Sequence, residues 1–563
     1  MSEIQNRLKE LRLALNRLGA DGFYCALSDA HLSEYIQRAD QLLTYLTGFT
    51  GSNARFLLTA DRALLWTDSR YWEQAARELQ SSGIELMREG EKSVPGVSEW
   101  LQNNKGATLT LAMPLETVPL ARFQEIQKAV SRVIDFPEEV IAQVWPERPE
   151  REVRGLYIHG ASSVSAADKL KRLQKYVDCQ KVPGDKKALL LTKLDDIAWL
   201  TNLRGSDIDF NPVFLSWALV GSHCATLFVN ESALDGKIRD HLTEAGWTVA
   251  DYSGFESSLI KFIAEGGQCL ARAGELNAKL FTLIEKAWVK NDHPVALWKS
   301  IKTEKELEGL RAVMKADGRA LQEFIDEVRA RLSRGEKLTE NDAVEILHEK
   351  RAAIDGFIGE SFGTIAAVDA NAALPHYEPK PGRGAPITPP CLLLVDSGAH
   401  YKAGTTDTTR VWFLGDPNEV PAEKLHRIKR DYTAVYKAMK ALSEATFKPG
   451  TRGVDLDKIA REPIHAIGAD FGHGTGHGIG LTLNVHETPP TISPREHEGS
   501  LTAFEPGMVT SDEPGIYRPG EWGIRLENML VCVQKADGLL GFETLTKCAI
   551  DENLLDKHSL SVG

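Results

Sequence analysis

Phe471-Gly472-His473-Gly474-Thr475-Gly476-His477-Gly478-Ile479-Gly480 sets a glycine at every second position. In an extended chain this alternation carries His473, Thr475 and His477 on one face and leaves the other bare for close backbone approach. The run lacks the Gly-Lys-Ser/Thr ending and strand-to-helix setting of a phosphate cradle. Around it lie four carboxylates on strand-like segments. Asp396 follows the apolar run Cys391-Leu392-Leu393-Leu394-Val395. Asp407 follows the turn Gly404-Thr405-Thr406 and precedes Thr408-Thr409-Arg410-Val411-Trp412-Phe413, so the two acids sit on the arms of an expected hairpin. Glu513 stands in Val509-Thr510-Ser511-Asp512-Glu513-Pro514-Gly515, and Glu527 in Gly523-Ile524-Arg525-Leu526-Glu527-Asn528. Period-two counting puts Arg525 and Glu527 on one face and Leu526 on the other.

Two carboxylates about 4 Å apart repel by roughly 4 kcal/mol even at an effective dielectric of 20. Four converging acids therefore need compensation, and two divalent cations supply it while making a water between them readily lose a proton. Oxygen donors with one imidazole and no thiolate favour hard ions. Manganese comes first, with cobalt, iron or zinc as substitutes.

The phrases Leu394-Val395-Asp396-Ser397-Gly398, Gly404-Thr405-Thr406-Asp407, His473 to Gly480, Val485-His486-Glu487, Glu513-Pro514-Gly515 and Arg525-Leu526-Glu527-Asn528 occur in an order that resembles the pita-bread metallopeptidases. That group contains methionine aminopeptidase, prolidase and aminopeptidase P. The resemblance implies that Asp396 holds one metal and His477 and Glu513 the other, with Asp407 and Glu527 bridging both. It implies that Glu513 also carries the proton between nucleophile and leaving nitrogen, and that His376, His473 and His486 are non-ligand histidines near the scissile bond. Arg525 is expected to orient Glu527. Where relatives often have an aromatic residue after Glu-Pro-Gly, this chain has Ile516 before Tyr517.

The chain of 563 residues is 42% hydrophobic and 26% charged, an ordinary globular composition with room for three or four domains. A formal net charge of -13 argues against nucleic acid or an anionic membrane as partner. The polar N-terminus starts a helix with Ile4, Leu8, Leu11, Leu15 and Leu18 on one side, and no run of about 20 apolar residues occurs. Seven scattered cysteines without a Cys-x-x-Cys pair read as reduced thiols, and the expected location is cytoplasmic.

Residues 1–150 alternate helical and strand-like patterns, with a hairpin expected over Ala54 to Thr67 and a Pro-rich linker over Phe136 to Arg154. Residues 151–300 partly repeat them, Tyr45-Leu46-Thr47-Gly48-Phe49-Thr50-Gly51-Ser52 paralleling Trp199-Leu200-Thr201-Asn202-Leu203-Arg204-Gly205-Ser206. In residues 301–563 the order helix, helix, strands occurs twice, with capping boxes at Thr303 and Thr339 and an apolar stripe from Leu425 to Leu442. The fold class expected is a multidomain α/β and α+β chain. It comprises two related creatinase-like N-terminal domains and a C-terminal pita-bread domain of duplicated ααββ halves, the metals lying between the halves. Ser28 to Ile36, Trp66 to Tyr71 and Leu203 to Phe214 further resemble the front domains of the long, three-domain aminopeptidases P. The resemblance implies a manganese-dependent enzyme that releases the first residue of peptides with proline in second position. Its partners are those peptides, with no nucleic acid and no membrane. A homodimer is left open, because the chain stops at Gly563 where long relatives continue into a helical tail. The alternatives are a prolidase-type dipeptidase, a metal-free creatinase-like amidinohydrolase and a non-catalytic peptide-binding protein on the same fold.

Overall fold

A computed structural model describes residues 2–104 and 106–560. They divide into two compact units, one of Met1–Ile158, Val164–Asp209 and Val213–Pro294, the other of His159–Ser163, Phe210–Pro212 and Val295–Gly563.

The first unit carries two six-stranded sheets. One uses β1 (Gly22–Ala26), β2 (Arg55–Leu58), β3 (Ala63–Thr67), β4 (Glu85–Arg88), β5 (Thr110–Met113) and β6 (Arg132–Asp135), in the order β4-β3-β2-β1-β5-β6. The other uses β7 (Lys187–Leu191), β8 (Ser216–Val220), β9 (Ala225–Val229), β10 (Thr248–Asp251), β11 (Gln268–Ala271) and β12 (Trp288–Lys290), in the order β10-β9-β8-β7-β11-β12. In both, the two central hairpin pairings are antiparallel and the three outer pairings parallel. The short sequence repeat thus marks a duplicated lobe. The expected hairpin is β2 and β3, paired from Arg55↔Trp66 to Leu58↔Ala63. One apolar core serves both lobes: Tyr24, Trp66 and Trp100 share a cluster with Trp217, Phe228 and Phe255. The stretch expected as a linker contains a helix at Glu138–Val144, whose Ile141 and Val144 are buried. Pro137 is tolerated just ahead of its first turn, and Glu138 and Glu139 lie where the helix dipole favours negative charge.

In the second unit, α1 (Glu304–Ser333) and α2 (Glu340–Ala352) start at the expected capping boxes, Thr303 with Glu306 and Thr339 with Asp342. They precede β13 (Ile365–Val368), β14 (Cys391–Ser397) and β15 (Thr408–Leu414), an antiparallel sheet in that order. The pattern then repeats with α3 (Ala422–Ser443) and α4 (Gly453–His465). Strands follow: β16 (Gly476–Gly478), β17 (Glu487–Ile492), β18 (Val509–Asp512), β19 (Gly515–Arg518), β20 (Trp522–Arg525), β21 (Asn528–Gln534) and β22 (Leu540–Thr544). Leu392, Leu394 and Val411 of the first half share a core with Ile428, Tyr432, Ile516, Ile524 and Leu526 of the second. Among the described residues no helix is long and apolar enough to cross a membrane, and all seven cysteines are free thiols.

Candidate metal centre

Strand parity places the acids. Leu392 and Leu394 face the core shared by the two halves, Leu393 and Val395 a separate cluster, and Asp396 continues the Leu392 face at the end of β14. On β15, Thr409 shares the face of Val411 and Phe413 and pairs in register with Asp396. Asp407 immediately precedes β15, His477 is central in β16, Glu513 follows β18 and Glu527 lies between β20 and β21.

His477 Nε2 is 3.4 Å from Asp407 Oδ2 and 3.5 Å from Glu513 Oε1. Asp407, His477 and Glu527 offer one donor atom each, all within 4.8 Å of one another. Glu527 accepts from the Thr409 hydroxyl at 2.7 Å, and its amide donates to the Thr409 carbonyl at 3.1 Å, so the bend before β21 is pinned to β15. Arg525 donates to Asp396 Oδ2 at 2.6 Å, to Thr409 Oγ1 at 3.2 Å, to the Tyr517 hydroxyl at 2.7 Å and to the Pro375 carbonyl at 3.3 Å. The expected pairing of Arg525 with Glu527 is thus indirect. Its ion pair goes to Asp396, and Thr409 relays it to Glu527. The Pro375 contact brings the segment carrying His376 to the acids. His473 Nε2 bonds the Tyr517 hydroxyl at 2.8 Å, and its Nδ1 lies 4.0 Å from Glu513. The His486 ring meets His477 edge to face at 4.4 Å between centroids.

The glycine-rich run does not keep its three polar side chains on one face. Only Gly476–Gly478 is strand, and the bend before it turns the Thr475 hydroxyl away to Asp457 Oδ1 of α4, at 2.6 Å. The same helix holds the bend through Arg461, which pairs with Asp457 at 2.8 Å and donates to the carbonyls of Phe471 and His473, each at 2.8 Å.

The His477 Nδ1–H donates to the Gly478 carbonyl at 2.9 Å, which turns Nε2 toward the acids. Burial opposes charge on this ring, but the Asp407 bond and the Glu513 charge outweigh it and push its pKa up to about 9. Burial raises Asp407, with the Asp396 charge adding to it against the His477 contacts. Burial and the charges of Asp407, Asp396 and Glu513 lift Glu527 well above the carboxylate range. Glu513 is pushed up to about 7, by burial first, against the charges of His477 and Arg525. Asp396 Oδ1 is buried without a hydrogen-bond partner among the described residues. A group of inward-facing acids, a preset imidazole and an unsatisfied carboxylate oxygen are the donor chemistry that divalent cations require. In a second buried group, Asp196, Glu275 and His293, the Glu275 carboxylate is met by protein side chains. Arg272 lies 3.7 Å from Glu275, and His293 bonds Glu275 at 3.0 Å.

Sequence reasoning missed Thr409, Tyr517, Asp457 and Arg461. Parity could have found the first two. Thr409 is two residues from Asp407, and β19 turns Ile516 into the core while sending Tyr517 to Arg525. The departure at Ile516 therefore falls on core packing.

The model of metallopeptidase family M24 matches residues 308–534, and two models of the creatinase/prolidase N-terminal domain match residues 7–144 and 146–306. A probable Xaa-Pro aminopeptidase P of Tuber melanosporum is 34% identical over 99% of this chain and 93% of its own. The chain belongs to metallopeptidase family M24. Among solved structures, the X-prolyl aminopeptidase from Caenorhabditis elegans, described as a cytosolic enzyme with a di-nuclear active site, has a TM-score of 0.92 at 29% identity, over 99% of this chain and 93% of that one. Prolidase from Pyrococcus furiosus has a TM-score of 0.51 at 25% identity, and covers 67% of this M24 chain with 99% of its own.

Proposed function

We propose that this chain is a metal-dependent aminopeptidase of the cytoplasm that hydrolyses the first peptide bond of peptides with proline in second position. The observation that carries the reading is the full-length likeness to X-prolyl and Xaa-Pro aminopeptidases, joined to a buried donor cluster in the M24 part. Asp396, Asp407, His477, Glu513 and Glu527 would hold two divalent ions, manganese first by the hardness of the donors. Bound there, the ions supply Lewis acidity that lowers the pKa of a water toward neutrality and polarises a carbonyl oxygen.

The chain's own groups do the rest. Glu513 takes the proton of the attacking water and returns it to the leaving nitrogen. That transfer matters for an X-Pro bond, whose tertiary amide has no N–H and must gain a proton to leave. His376 and His486 are suited to donate hydrogen bonds to the oxygen that becomes negative, and His473, whose Nδ1 and Nε2 bond the Gly474 carbonyl and the Tyr517 hydroxyl, is suited to orient Tyr517 beside them. Arg525 and Thr409 hold Asp396 and Glu527 in place, so the donors pay little reorganisation on binding.

The test is turnover of an Arg-Pro-Pro-type tripeptide, an Xaa-Pro dipeptide and a non-proline tripeptide, with metal stripped and then restored. Cleavage of the proline tripeptide that vanishes with the metal and returns with manganese is expected. Cleavage of the dipeptide alone would make it a prolidase, and undiminished turnover without metal would remove the proposed chemistry.

A further inference from the structure

Within the first unit, apart from the M24 acids, the two lobes enclose a cleft of about 180 Å³. A buried water needs about 10–15 Å³ on this measure, so the cleft has room for a small molecule. Its charged lining is Asp29, Asp40, Glu116 and Glu256 against Arg151 and Lys279. Arg151 is spent on Asp40, at 2.7 Å, and Lys279 on Glu116 and Glu256, at 2.5 and 2.6 Å. His31, also in the lining, adds no charge. Its Nδ1–H donates to the Thr192 carbonyl and its Nε2 accepts from the Tyr252 hydroxyl, both at 2.9 Å, while burial lowers its pKa to about 4. Four carboxylates thus face two cations in the lining, with Arg148 a further 3.5 Å from Asp40.

Asp29 is the one acid of the four with no ion pair among the described residues, and burial raises its pKa against the bonds it accepts from Ser33 and His31. The residue is 3% exposed. Its Oδ1 accepts from the amides of His31 and Ser33 at 2.9 and 2.8 Å, which accounts for a turn-forming role. Its Oδ2 is buried with no hydrogen-bond partner among the described residues. An unsatisfied buried carboxylate oxygen is costly unless a donor meets it. Beside it stand apolar surfaces: Trp217, stacked on Phe255 at 4.7 Å, Leu215 and Leu280.

We infer that this cleft is a binding site for a small organic cation, an amine or guanidine on a short aliphatic chain. Its charged head would donate to Asp29 Oδ2 and its chain would lie against the Trp217, Leu215 and Leu280 side. The cation could be a free polyamine or a lysine or arginine side chain of a peptide, which share this chemistry.

Isothermal titration of the metal-loaded protein tests the site. The probes are putrescine and Nα-acetyl-lysine amide, whose blocked α-amine keeps it from being an aminopeptidase substrate. The neutral Nα-acetyl-norleucine amide is the control. Saturable one-to-one binding with a Kd below about 1 mM is expected for at least one cation. The tighter of the two identifies the source. Asp29→Asn, whose Oδ1 keeps both backbone bonds, should weaken binding at least tenfold, and Asp396→Asn in the M24 part should leave it unchanged. No saturable binding, equal binding of the neutral control, an unaffected Asp29→Asn protein, or loss confined to Asp396→Asn would each overturn the proposal. A crystal of the wild type grown with the tighter probe gives a reading independent of variant folding. Its nitrogen should sit about 3 Å from Asp29 Oδ2, and a cleft holding only water would also refute the site.

Discussion

Asp407 and Glu527 illustrate how single residues divide their work. Each is almost fully buried, each has its pKa raised by that burial first and by acidic neighbours in addition, and each offers a donor to the same space as His477. Asp407→Asn or Glu527→Gln keeps shape and volume but removes a charge, so the fold should persist while hydrolysis falls by about a thousandfold or more. A substituted protein that remains both metal-loaded and active would show that neither acid bridges. His376 sits on the segment that Arg525 holds through the Pro375 carbonyl. On its proposed role as a donor to the reacting group, removal of the ring in His376→Ala should cut kcat by about 10²- to 10⁴-fold while metal content stays near the wild-type level. Parallel loss of metal and rate would make it a ligand or a structural residue instead.

At the scale of elements, the bend that carries His473 and leads into His477 is held by α4. The Asp457–Arg461 pair of α4 is nearly inaccessible, with side chains 2% and 7% exposed, and it hooks Thr475 and the carbonyls of Phe471 and His473. Truncating one partner of a buried pair typically costs about 3–5 kcal/mol, because the other charge is left stranded. Arg461→Ala should lose that much in urea unfolding. A loss below about 1 kcal/mol would mean that the bend holds itself. The α1 and α2 capping boxes and the apolar stripe of α3 belong to the same scale, and there local sequence and structure agree. The Pro-rich stretch at residues 136–154 does not: its prolines signalled a linker, but Ile141 and Val144 are drawn into the core and the chain between them becomes helical.

For the whole molecule, the gathered charges make stability depend on pH. The pKa of Glu513 rises from 4.5 to about 7 in the folded chain, so its contribution to stability is complete below pH 4.5 and is lost as pH climbs through 7. That of His477 rises from 6.5 to about 9, so its contribution is complete below 6.5 and is lost on passing 9. In the metal-stripped protein, the melting temperature of wild type should therefore fall relative to that of Glu513→Gln as pH rises from 4.5 to 7, because the glutamine stands in for the neutral acid and carries no buried charge. Restored metal needs both groups deprotonated and should reverse that slope, binding more tightly as pH rises. A difference that stays flat across the range would place Glu513 outside the coupled group.

The sequence alone determined the carboxylates and histidines of the candidate centre, the two-fold ααββ order and the repeated front lobe. Those signals are local: residue type, parity along a strand, capping boxes and recurring phrases. Only the tertiary structure decided that Arg525 pairs with Asp396 rather than Glu527, that Thr475 turns to α4, and that one core joins the two front lobes. It also decided that Asp29 keeps a bare oxygen in a cleft between those lobes. Each of these links residues 18 to more than 100 positions apart, and no period in a chain says which distant side chain will fill the space opposite.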